Sequence, residues 1–161
     1  MSRGYTNKNP GNIRKTNDYW LGEVSGSDPD FKTFSSMEWG YRAMFVLLKS
    51  YLSDGYNTIN LIINRWAPSS ENNTTAYINH VVQLTGFNAN QVLTYEEQTM
   101  KKMVAALSQH ENGITPNWTE IDGGWTLTGE VQTVKTVGIS MAAIALFVSV
   151  GFVVFMLVKQ N

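Results

Sequence analysis

Apolar positions recur at helical spacing through 94–113, where Met100, Met103, Val104 and Leu107 make one stripe. Thr94 with Glu97 three places on is a capping-box signature, and Gly113 stands where a left-handed glycine ends a last turn. The segment therefore predicts a helix with both ends marked. Upstream, Ser35 and Glu38 open a second predicted helix, rich in apolar and aromatic residues to Leu52 and stopped by Asp54-Gly55. A short helix is expected over 57–66, closed by Ala67-Pro68, and another over 75–85, capped by Asn73 or Thr74 and ended by Gly86. Residues 1–36 read as turns and short strands. Asn9-Pro10-Gly11-Asn12 is a dense turn signal, and 19–22 and 30–34 are candidate strands flanking a polar loop.

Beyond 113 the pattern changes twice. Over 114–136 the apolar periodicity fades and Gly123-Gly124 and Gly129 interrupt it, which predicts a tether. Trp118 and Trp125 either order that tether in part or rest in a membrane interface. From 137 to 158 no residue is charged, and a helix of that length spans roughly 33 Å, enough for a hydrocarbon core of about 30 Å. Lys135 and Lys159 bracket this run, so the expectation is a C-terminal transmembrane anchor whose orientation the charges leave open. The polar N-terminus does not read as a secretory signal. The organisation expected is a mainly α domain over 1–113, a tether over 114–136 and a membrane helix over 137–158.

Composition narrows the chemistry. The 161 residues carry a net charge of −1, which gives no global positive field for nucleic acid. Arg3, Lys8, Arg14 and Lys15 all precede the first acid, Asp18, so the N-terminus is locally basic: a surface for an anionic polymer, or simply solvated charge. There is no cysteine, which excludes disulfides and thiolate metal sites, and His80 and His110 are the only histidines, so neither metal nor cofactor is expected.

Glu111 falls four residues after Leu107 and continues the apolar stripe. The C-terminal end of a helix carries partial negative charge, which opposes a carboxylate and suits a group that works as a proton donor. An ordinary glutamate on a last helical turn is the plain alternative.

Several blocks together resemble a known family. Arg3-Gly4-Tyr5 with Asn9-Pro10-Gly11-Asn12-Ile13-Arg14, followed by 34–48 and 62–77, is similar to phage and prophage peptidoglycan-degrading proteins of the lysozyme-like superfamily. Glu111-Asn112-Gly113 resembles the Glu-Ser-Gly ending of the catalytic helix of lytic transglycosylases, and 75–81 resembles their tyrosine helix. The order is reversed, so the resemblance implies an α+β lysozyme-like domain in circular permutation. It implies Glu111 as the acid/base that cleaves the β-1,4 bond between N-acetylmuramic acid and N-acetylglucosamine. Tyr77 then either hydrogen-bonds Glu111 or orients the sugar as a substrate contact, with core packing as the plain alternative. Asn9 and Asn12 bind sugar or form their turn. Trp20, Trp39, Tyr41 and Trp66 offer flat faces for sugar, of which one or two are expected in the cleft, and Trp39 is a candidate substrate contact.

A transglycosylase manages with one carboxyl, because the muramyl 6-OH attacks, whereas hydrolysis usually needs a second. Glu23, Asp28, Asp30, Glu38 and Glu71 are candidates, each with an ordinary structural reading, and Glu71 is also a candidate substrate contact. His110 is expected to face outward. The whole reads as a virion membrane protein that opens peptidoglycan as infection begins, with peptidoglycan, lipid and capsid or other virion membrane proteins as partners. The rival reading is a structural virion protein that binds glycan or braces the capsid.

Overall fold

The computed structural model describes residues 1–68 and 73–129. Among them are six helices, α1 (Arg3–Thr6), α2 (Met37–Ser53), α3 (Ile59–Trp66), α4 (Thr74–Thr85), α5 (Glu97–Asn112) and α6 (Trp118–Thr126), with a two-stranded antiparallel ribbon of β1 (Glu23–Val24) and β2 (Thr33–Phe34). Glu23 lies opposite Phe34 and Val24 opposite Thr33.

Local chemistry sets most helix ends. Thr58 accepts from the Leu61 amide at the start of α3, and Asn73 accepts from Ala76 at the start of α4. Gly86 and Gly113, at φ 73° and 65°, end α4 and α5 in the left-handed region that favours glycine. The two capping boxes do not form. Ser36 and Glu96 occupy the N-cap positions of α2 and α5, and neither makes a side-chain cap bond.

One core joins α2 through α6. Tyr41, Met44, Phe45 and Leu48 of α2 meet Ile59, Ile62 and Ile63 of α3, Tyr77 and Val81 of α4, and Met100, Met103, Val104 and Leu107 of α5. The apolar stripe of α5 is thus fully inside, as its spacing predicts.

The expected architecture is corrected at both levels. In place of an α+β lysozyme-like domain ending at 113, the described residues form a mainly α unit whose strands are two residues each. The compact unit runs Met1–Glu130, because the segment expected to be a tether forms α6 and packs on α2. Gly123 and Gly124 are not breakers here. A β-carbon at Gly124 would stand 2.6 Å from Tyr41 Cβ and 3.0 Å from the Arg42 amide nitrogen, so the glycine permits close approach of α6 to α2. Ile121 and Trp125 are buried, with Trp125 edge-on to Phe45 at 5.2 Å, which removes Trp125 from any membrane interface. Lys101 ties α5 to α6 through ion pairs to Glu97 and Asp122, both 2.6 Å. No helix among the described residues is long and apolar enough to cross a membrane. The 137–158 run lies outside the described residues.

Candidate active site

The end of α5 is fastened to the N-terminal turn. Asn112 Nδ2 donates to the Pro10 carbonyl at 2.8 Å and to the Ser108 carbonyl at 2.9 Å, while its Oδ1 accepts from Ser2 Oγ at 2.7 Å. Asn9 is fully buried. Its Nδ2 donates to the Ile13 and Lys32 carbonyls and its Oδ1 accepts from the Ile13 amide, each at 2.9 Å. Asn9 therefore builds the turn, and the substrate-binding expectation for it is corrected. Asn12 stands at φ 46°, a left-handed conformation that asparagine tolerates better than most residues.

Around Glu111 three neutral donors converge. Tyr77 Oη donates to Oε1 at 2.7 Å, Trp66 Nε1 donates to the same oxygen at 3.1 Å, and Asn12 Nδ2 donates to Oε2 at 2.9 Å. They come from α4, α3 and the N-terminal turn, so the carboxylate's orientation is fixed from three sides. Gly11 makes room for the indole: a β-carbon there would lie 3.0 Å from Trp66 Cζ2. Burial, then the charge and hydrogen bond of Glu111, push the Tyr77 hydroxyl well above its ordinary value of 10.0, so it stays a donor at any working pH.

His110 faces inward on this cluster, contrary to expectation. Its ring stacks on Tyr77 at 3.6 Å and 13°, and its Nδ1 meets His80 Nδ1 at 2.9 Å. Burial, then the facing His80, lower its pKa from the ordinary 6.5, while Glu111 opposes the shift. One ring nitrogen donating and the other accepting satisfies that contact. Among the described residues no three His, Cys, Asp or Glu side chains converge as a metal site would need.

Glu111 lies between two depressions. One is a cleft of about 400 Å³ lined by Asn12, Arg14, Thr16, Asp18, Trp20, Phe31, Tyr51 and Trp66 among others, and the second, about 290 Å³, is lined by Asn73, Ala76, Tyr77 and His110. Glu111 borders both. Glu111 is thus a half-buried carboxyl on an open groove with indole, phenol and amide walls.

Of the other residues singled out from sequence, Trp20 and Trp66 line the cleft, whereas Tyr41 is in the core and Trp39 packs beneath Gly22. Trp39 is partly buried and is not among the residues that line the cleft. Glu71 lies outside the described residues. Glu23 is taken by Lys32 at 3.0 Å, Asp28 and Asp30 by Arg3 at 2.6 and 2.8 Å, and Glu38 lies under Gly123. None of those four lines the cleft. Asp18 does, and sequence reading passed over it, because an acid in a polar loop carries no periodic or motif signal.

Among known proteins, the chain is 38% identical over 130 residues to Protein P5 of Pseudoalteromonas phage PM2, an overlap of 77% of this chain and 80% of that protein. The chain belongs to the family of this phage protein. No protein-family model matches the chain. Kinship with P5 thus makes it a phage-protein homologue and leaves its chemistry to be argued from the cleft.

Proposed function

We propose that this P5 homologue is a component of a phage virion and that its folded unit cleaves peptidoglycan. The kinship supports the first half. The second is carried by Glu111, one carboxyl set at the junction of two depressions by three neutral donors. Tyrosine, indole and amide hold the carboxyl in one orientation, which a group that transfers a proton to a bound substrate requires. Peptidoglycan is the glycan a phage must breach, and stacking faces such as Trp20 beside amide and carboxyl groups fit amphipathic sugar rings. Glu111 would protonate the glycosidic oxygen as the bond breaks and then, as carboxylate, accept a proton. In the transglycosylase form of this reaction that proton comes from the muramyl 6-OH; in the hydrolytic form a second carboxylate takes it from water, and Glu111 is reset by solvent.

A second reading keeps the virion and drops the reaction: a structural protein that holds glycan or neighbouring virion components. The relation to P5 favours it, since that protein's name carries no activity. Incubation of the full-length chain with purified peptidoglycan, followed by sedimentation, separates the two. Release of soluble muropeptides is the expected result. Co-sedimentation with no release establishes the structural reading and removes the enzymatic one.

A further inference from the structure

Beneath the cleft wall lies an ion pair with no evident role in packing. Lys32 has a side chain only 1% exposed, and an ammonium taken that far from water is costly unless every donor is matched. Its Nζ donates to the Asp18 carbonyl at 2.6 Å, to the Thr16 carbonyl at 3.4 Å and to both Glu23 oxygens at 3.0 Å. Glu23 in turn accepts from the Trp20 amide at 3.1 Å. The pair thus holds the backbone of 16–20 from below, and Thr16, Asp18 and Trp20 are the residues of that segment that line the cleft with Glu111. Thr16 Oγ1 donates to Asp18 Oδ2 at 3.2 Å and accepts from the Asp18 amide at 3.3 Å, and Asp18 is exposed.

We infer that Asp18 is the second carboxylate of the site, the base that activates a water, so that the reaction is hydrolysis. This rests on the glycan-cleaving reading of Glu111. In the step, Glu111 gives its proton to the glycosidic oxygen and the C1–O bond breaks, its electron pair staying on the departing oxygen. A water oxygen bonds to C1 while Asp18 takes one water proton, and the other remains on the new anomeric hydroxyl. Glu111 ends as carboxylate and Asp18 as acid, and proton exchange with solvent resets both. The exposure of Asp18 suits a base that must meet water, and Asp18 lines the same cleft as Glu111.

The test digests purified peptidoglycan with the full-length chain in H₂¹⁸O and weighs the fragments, for wild type and Asp18→Asn. The expected products are reducing-end muropeptides carrying ¹⁸O, with the rate falling at least about 100-fold in Asp18→Asn. Sodium azide, a nucleophile that needs no base, should restore cleavage in that variant as glycosyl azide; a merely structural aspartate would give no such rescue. Anhydro products formed equally by both proteins would overturn the role of Asp18 and leave Glu111 as a lone acid/base. No products from wild type would overturn both readings.

Discussion

The contact between α2 and α6 makes a sharp prediction, because two adjacent glycines meet different atoms. A β-carbon at Gly124 stands 2.6 Å from Tyr41 Cβ and 3.0 Å from both the Arg42 nitrogen and the Glu38 carbonyl oxygen. Carbon contacts are comfortable at about 3.5–4.0 Å, so α6 would have to retreat by about 1 Å along a buried interface. At Gly123 the nearest atom is Glu38 Cγ at 2.7 Å, part of a flexible side chain that can swing aside. Either alanine gains about 0.5–1 kcal/mol from helix propensity. Only Gly124→Ala also incurs overpacking, about 1–3 kcal/mol. Gly123→Ala should therefore be neutral to slightly stabilising and Gly124→Ala destabilising, the two differing by about 1–3 kcal/mol. Urea unfolding followed by tryptophan fluorescence reads the difference as a shift in midpoint at constant slope. Equal midpoints, or a more stable Gly124→Ala, would refute the packing of α6 on α2.

Tyr77→Phe removes the 2.7 Å bond to Glu111 and keeps the ring stacked on His110. A hydrogen bond to a charged group is worth about 1.5–3 kcal/mol, so muropeptide release should slow about tenfold or more and the urea midpoint should fall with it; an unchanged rate would remove Tyr77 from the site. His110, with its folded pKa below 6.5, makes stability pH-dependent. The unfolded chain takes up this proton near 6.5 and the folded one does not, so stability is full above that value and declines as pH falls towards the folded pKa. Unfolding measured from about pH 7.5 to 5.5 should show a shallower decline for His110→Gln than for wild type, and identical declines would contradict the assignment.

What the sequence discloses follows the reach of the interaction. Asn73, Gly86 and Gly113 act within a few residues, and their roles at helix ends were legible from spacing alone. The capping boxes at Ser35 and Thr94 were equally local signals, yet the chain starts those helices at Met37 and Glu97, because burial of the following apolar face decides where a helix enters the core. Glu111 was legible as the odd polar residue on an apolar stripe. The arrival of Trp66 and Asn12 on its oxygens was not, since it depends on contacts 45 and 99 residues apart. Gly123-Gly124 misled for a related reason: glycine signals a break only where no partner helix needs the space. Asp18 was invisible for want of its partner, because the buried lysine that holds its loop lies 14 residues away across the ribbon.

The central claim is that Glu111 moves the proton, and Glu111→Gln tests it most directly. Glutamine has nearly the same shape and its amide oxygen can still accept from Tyr77 and Trp66, but it cannot act as an acid or a base. The measurement is the rate of soluble muropeptide release from purified peptidoglycan by the full-length protein and by this variant, with co-sedimentation and urea midpoint as checks on binding and folding. The account predicts release by wild type and a fall of at least about 100-fold in the variant, with binding and midpoint retained. Undiminished release by Glu111→Gln would contradict it.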